Sequence, residues 1–268
     1  MRARADGPSG VAPVLRAEVG VTRSPRPWDG LASAVALLTI VPVPVAVDGL
    51  DGAAAWFPLV GAAVGALAGG VRLLCGEALG ASVATVLAMI VLVLATGALH
   101  QDGLADTADG LGVRNDRARR LEVMRDSSTG VFGALALIAW ALLLFTTVSS
   151  LDGDRALRAL VIACALGRWA ALLHAAGTPP ARSGGLGAAL RVSRIALAVA
   201  TALSAIAALA IGGLVAGAAA LGTTLLVAGL SVAFARRTLG GRTGDTLGAT
   251  VAIAEVAVCV VLLGVWQG

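Results

Sequence analysis

The sequence predicts an all-α, polytopic membrane bundle of about seven spanning helices, preceded by an N-terminal segment short enough to re-enter rather than cross. Three observations carry this. Hydrophobic residues make up 58% of the chain. Only 13% of its residues are charged, against about 25% in ordinary soluble domains. Apolar stretches of about 18–20 residues recur along it, each long enough to cross the hydrocarbon core of a bilayer as a helix. All 20 basic residues are arginine, and the formal net charge is +4. The arginines sit in short segments flanking apolar helices, so they read as membrane-orienting charges and not as a nucleic-acid surface.

Residues 1–29 contain five arginines and no sustained apolar run. They are expected to form a disordered tail and not a signal peptide, which needs an apolar stretch; residues 30–268 form one membrane-embedded domain. The apolar segment 31–46 is short and carries Pro42 and Pro44, so a half-helix or re-entrant segment competes there with a full span. Spans are expected at about 54–74, 80–100, 130–151, 156–176, 195–213, 217–235 and 246–267. Ile195 to Ala235 is too long for one span, and Gly212, Gly213 and Gly217 mark a turn within it. Cys75, Cys164 and Cys259 lie far apart with no paired spacing, so neither a disulfide nor a zinc site is expected.

Three polar segments remain, 101–129, 177–194 and 236–245, with five, three and three arginines. Helix parity puts all three on one side, and the arginine bias makes that side cytoplasmic.

The first polar segment opens with a run of chemistry. No ionisable residue occurs from Ala81 to Leu99; then Asp102, Asp106 and Asp109 arrive within eight positions, after His100. On a helix their i, i+4, i+7 spacing puts the three on one face. Two carboxylates about 6 Å apart repel by roughly 3 kcal/mol at an effective dielectric near 20. A divalent cation, most plausibly Mg2+ carrying a phosphorylated substrate, explains such a cluster better than a solvated face does. His100 is a proton-acceptor candidate beside it.

Further on, Asn115 or Asp116 is placed to cap a short helix that holds Leu121 and Met124 against the membrane. Arg120 and Arg125 belong to this segment, and Glu122 reads equally well as one half of a surface ion pair. Asp126, Ser127 and Gly130 bring a carboxylate, a hydroxyl and flexible backbone together, a combination suited to phosphate or metal. In the last segment Gly240, Gly241 and Gly244 permit close backbone approach, Arg242 offers a bidentate phosphate partner, and Asp245 supplies another carboxylate. Asp245 is expected to share the site of the aspartate run. Arg168 and Glu255 interrupt apolar segments, so they should face the bundle interior as partners; the arginine also serves as a substrate-binding candidate.

These motifs resemble the cobalamin synthase family, the adenosylcobinamide-GDP ribazoletransferases. The family's HxDGLADTxDG pattern is met at 100–110, LEIMRDSRxGxxG at 121–133 and RTLGGxTGDTLGA at 237–249. Val41 to Pro44 and Phe57 to Gly61 resemble two earlier patterns. Ser128 stands where the family usually has arginine, a role Arg125 is placed to fill. The resemblance implies a Mg2+-dependent enzyme of the bacterial cytoplasmic membrane with its active site facing the cytoplasm. A hydroxyl of α-ribazole, or of its 5′-phosphate, attacks the diphosphate of adenosylcobinamide-GDP and GMP leaves. Asp102, Asp106 and Asp109 would hold the metal, arginines would stabilise the leaving GMP, and Asp109, Asp126, Asp245 or His100 would serve catalysis. The bilayer is the expected partner, along with other late-stage cobalamin assembly enzymes and a second copy of the chain. Two rival readings stay open. Residues 106–114 also resemble the opening DxxDGxxAR of CDP-alcohol phosphotransferases, though the later glycine of that pattern is missing. A transporter would use Arg168, Glu255 and the 31–46 segment as a pathway.

Overall fold

The computed structural model describes residues 28–44 and 52–268. The tail expected over 1–29 lies outside the described residues, apart from Trp28 and Asp29. Helix α1 (Asp29–Leu38) stops well before Pro42 and Pro44, and the chain from Val41 to Pro44 is irregular. Residues preceding a proline avoid helical backbone, which keeps the segment from resuming. With 10 residues, α1 rises about 15 Å, half a hydrocarbon core.

Among the described residues, five helices are long and apolar enough to cross a membrane: α2 (Ala53–Ala95), α5 (Val131–Ser149), α6 (Gly153–Gly177), α8 (Arg194–Thr238) and α9 (Gly244–Gln267). Two of these are folded back on themselves. In α2, Gly80 takes φ 79° and ψ 159°, outside helical space. A straight helix of 43 residues would separate its ends by about 60 Å. Instead Gly52, just before α2, lies against Gly30 near the start of α1, while the amide of Ile40, just past α1, donates to Ala95 O at the end of α2 at 3.0 Å. Both ends of α2 therefore reach one short helix. In α8, Gly213 (φ 78°, ψ 175°) makes the same reversal, and a Cβ on Gly217 would come within 2.5 Å of Ala208 O. The turn expected at Gly212–Gly217 is where the sequence placed it, and only glycine enters that left-handed backbone without strain.

Helix α6 is the centre of the bundle. Every residue from Ile162 to Leu172 is buried, the mark of a helix surrounded by protein on all sides. It packs closely on α2 through Gly61, Gly65 and Gly69, where an added Cβ would come within 2.3, 2.3 and 2.7 Å of α6 backbone atoms. In lipid no hydrophobic effect drives helices together, so small residues that let backbones meet supply the packing. The outer faces of α2, α5 and α8 expose large apolar side chains such as Leu94, Leu142 and Leu226.

The polar connections are less open than the sequence suggested. The span expected over 80–100 ends at Ala95, because Gly97 and Ala98 both turn left-handed at φ 59°. A new helix, α3 (Leu99–Gly112), follows, then α4 (Arg117–Val123). The side chain of Asp116 caps α4 by accepting from Arg119 N at 2.9 Å. Met124 is buried against Gly110. A single turn, α7 (Leu186–Ala189), sits before α8.

Candidate active site

The three polar connections meet at one end of the bundle. Arg117 donates to Leu239 O at 2.6 Å and to Ala181 O at 3.1 Å, tying α4 to both other segments. Arg120 donates to Val113 O and Thr238 O. Pro180 and Arg242 pair as an isolated parallel bridge.

Against this frame α3 lies on the start of α9. A Cβ on Gly103 would stand 2.6 Å from Asp245 O, and one on Gly248 would stand 3.1 Å from Leu99 O. Two glycines thus let the helices touch, and the contact sets the aspartates of α3 beside Asp245. Asp102 is exposed and Asp106 half-buried. Burial and the charges of Asp102, Asp245 and Asp109 push the Asp106 carboxyl up to about 7, with Arg182 pulling the other way. Arg182 lies 3.4 Å from Asp245. Among the described residues no three acidic, histidine or cysteine side chains converge into a ready-made metal cage.

The third aspartate of the run is used differently. Asp109 accepts from Gly130 N at 2.7 Å and from Gly133 N at 2.8 Å, one bond to each carboxylate oxygen. It satisfies the free amides at the start of α5, as an N-terminal carboxylate does. A Cβ on either glycine would collide with that carboxylate. Gly130 therefore serves this anchor.

A cavity of about 160 Å³ opens behind Asp102, Asp245 and Arg182. Its walls are apolar, from Leu38, Phe57, Ala171, Leu190, Leu247 and Val251, and it reaches His100 and Arg168 inside. Arg168 pairs with Glu255, as their isolation in apolar sequence predicted, and the two are 1% and 2% exposed. The Arg168 Nη2 atom lies 3.5 Å from Nδ1 of His100. Arginine only donates, so that nitrogen is the acceptor and the imidazole proton sits on Nε2. Burial and the neighbouring Arg168 charge hold the His100 pKa well below its ordinary value. His100 is thus a neutral group in the first turn of α3, not the last residue of a span.

Several expected contacts go elsewhere. Arg242 is buried and donates to four backbone carbonyls: Gly187 O at 2.9 Å, Ala175 O at 2.9 Å, Leu190 O at 3.0 Å, and Thr178 O. It staples the 175–190 segment to the base of α9 and has little left for a phosphate. Gly240 takes φ 70° beside the Arg117 guanidinium, and Gly241 passes so near Pro179 O that a Cβ would lie 2.3 Å away. Gly244 opens α9, inside the capping box that Thr243 and Thr246 form. These glycines serve a tight turn. Arg125 and Asp126 line a separate shallow hollow with Leu121. Asp126 is held below its usual pKa by the hydroxyl and then the amide of Ser128, at 2.7 and 3.0 Å, and Ser127 is exposed beside it. Glu122 pairs with Arg119 at 2.8 Å, the surface ion pair. The residue missed by sequence reasoning is Arg182. It lies in Pro-Pro-Ala-Arg-Ser-Gly-Gly, the same arginine-in-glycine signature that drew attention to 236–245.

Fold and site together define a polytopic helical membrane protein with an acidic, arginine-flanked site at one end of its bundle. The chain belongs to the cobalamin-5-phosphate synthase family, whose model matches residues 30–263. It is 43% identical over 212 residues to an adenosylcobinamide-GDP ribazoletransferase of Azorhizobium caulinodans, covering 75% of this chain and 79% of that protein. The enzyme of the same name from Roseiflexus sp. (strain RS-1) is 38% identical over 247 residues, 87% of this chain and 90% of its own. That of Klebsiella pneumoniae subsp. pneumoniae is 41% identical over 215 residues, 77% and 85% of the two chains. No solved structure matches the chain.

Proposed function

We propose that this chain joins α-ribazole, or its 5′-phosphate, to adenosylcobinamide-GDP. A ribose hydroxyl of the acceptor attacks the phosphorus next to the cobinamide. The bond from that phosphorus to the GMP oxygen breaks, GMP leaves, the hydroxyl proton is lost, and a phosphodiester remains. One observation carries the reading: Asp102, Asp245 and Arg182, from three separate segments, line the mouth of one cavity, and Asp106 is close enough to feel the charge of all three.

The residues fit Mg2+ in the way this ion usually binds, through one or two carboxylates with the rest of its shell left to water and substrate phosphates. Burial first, and then the charges of Asp102, Asp245 and Asp109, lift Asp106 to about 7, and a cation would offset that gathered negative charge. Bound there, the ion would offset charge on the diphosphate. Arg182 is half of a pair with Asp245, and is placed to turn its guanidinium to the leaving GMP oxygens. Asp245 or Asp106 is placed to accept the hydroxyl proton better than His100, whose environment disfavours its charged form. The site end faces the cytoplasm, where the nucleotide-linked donor is found.

Purified protein in lipid, given adenosylcobinamide-GDP, α-ribazole and Mg2+, should release GMP and form cobalamin in equal amounts. Chelation should stop both. Asp102→Asn, Asp106→Asn and Asp245→Asn should each nearly eliminate turnover in folded protein. CMP-linked activity instead of GMP release, or near-normal turnover in two of the three variants, would sink the assignment.

A further inference from the structure

The cavity behind the carboxylates is chemically unlike its mouth. Asp102, Asp245 and Arg182 at the rim suit phosphates and hydroxyls. The walls do not: Leu38, Phe57, Ala171, Leu190, Leu247 and Val251, drawn from four helices and the segment after α7, offer no hydrogen-bonding side chain. A diphosphate among those side chains would lose its water and gain no hydrogen bond from them. At about 160 Å³ the cavity has roughly ten times the ~10–15 Å³ that a single water needs. That is room enough for a flat bicyclic ring.

Behind the rim, polar side chains line it at one place. His100 and Arg168 line it and are 2% and 1% exposed. Nε of Arg168 is buried without a hydrogen-bond partner. A buried donor without a protein partner is open to water or to a ligand atom bearing a lone pair. The combination calls for an aromatic bicycle that is apolar around most of its edge and carries one acceptor nitrogen. Guanine, with polar groups along both edges, would leave several of them unpaired against leucine and valine. A substituted benzimidazole has the required pattern.

Resting on the function proposed above, we propose that this cavity is the pocket for the aromatic base of the acceptor nucleoside. The benzimidazole of ribazole lies between Phe57, Ala171 and Leu247, its free ring nitrogen toward Arg168 and His100. Its ribose then emerges at the mouth, where Asp102 and Asp245 meet the hydroxyls. The donor's diphosphate stays outside with Arg182. Pocket shape, not the carboxylates, would choose which base is attached.

Equilibrium dialysis of the full-length protein in lipid nanodiscs, with α-ribazole alone and with GDP alone, tests this without turnover. Ala171→Phe fills the cavity from α6 and should weaken α-ribazole binding about ten-fold or more, on the scale a hydrophobic pocket discriminates by ring-sized changes. GDP binding should stay within about two-fold, since its contacts lie at the rim. Wild-type protein needs no variant for the second arm: adenosine, equally flat but polar along its edge, should bind about ten-fold or more weakly than α-ribazole. Equal binding of the two nucleosides, or a GDP loss in Ala171→Phe with α-ribazole unaffected, would overturn the proposal. Selective α-ribazole binding in protein that never releases GMP would uphold the pocket and refute the proposed reaction. Turnover with no cavity-dependent ribazole binding would do the reverse.

Discussion

Arg242 and Arg182 belong to similar glycine-flanked segments and have opposite jobs. Arg242 has its donors spent on four backbone carbonyls, so its removal strands buried acceptors at about 1–3 kcal/mol for each. Arg242→Lys cannot span the four with one ammonium, and it should lower the thermal unfolding midpoint in detergent nearly as far as Arg242→Ala. Arg182→Gln, at a half-buried rim position, should leave that midpoint alone and cut turnover about 10²-fold, the scale of losing one charge-stabilising donor. Unfolding profiles beside single-turnover rates separate the two outcomes. The lifted carboxyl of Asp106 has its own signature. Its protonated form is favoured in cation-free protein up to about 7, so protons and Mg2+ compete for it. The Mg2+ concentration giving half-maximal rate should therefore rise as pH falls from about 8 to about 6. A half-saturation point independent of pH over that window would place the ion elsewhere.

Helices meet in this protein where glycine lets them. Gly103→Ala sets a Cβ 2.6 Å from Asp245 O, so α3 must move off α9 and the aspartates must part; a shift of about 1 Å suffices to cost on the order of 10²-fold in rate. Gly70→Ala, with open space around it, is the control, expected to keep full activity. Equal activity of the two variants would show that the α3–α9 contact does not set the site. Apolar length and charge placement were enough to read the membrane segments, the reversal at Gly213 and the shared face of Asp102 and Asp106, because those follow from local composition. The break at Gly97–Ala98 was not legible, since alanine rarely turns left-handed and nothing in the apolar run announces it. Nor was the fate of Asp109 or Arg242. Their partners lie 21–24 and 52–67 residues away, and a carboxylate capping a distant helix looks in sequence like one awaiting a metal. Arg182 was legible by the rule applied to 236–245.

At the scale of the whole molecule, parity and charge agree on an orientation. Segments 101–129, 177–194 and 236–245 carry eleven arginines and are stapled together at one end. At the other end Arg72, Arg155 and Arg158 are accompanied by Glu77, Asp152 and Asp154. Arginine-rich short connections stay in the cytoplasm, and acidic residues weigh little in that choice. The site end is therefore predicted to be cytoplasmic. Single cysteines at Asn115, Ser183 and Arg237, all exposed, in a background lacking Cys75, Cys164 and Cys259, should resist impermeant thiol reagents in intact cells and react once the membrane is opened. Thr243, being 1% exposed, would resist on either side and says nothing. A cysteine at Asp154, exposed at the far end of α6, should react in intact cells. Because Arg117 bonds directly to the two other segments, the three site-end positions must behave alike. Labelling of all three from outside would invert the orientation and leave the assembled site intact. Labelling of only one would contradict the clustering itself, and with it the shared site of Asp106 and Asp245.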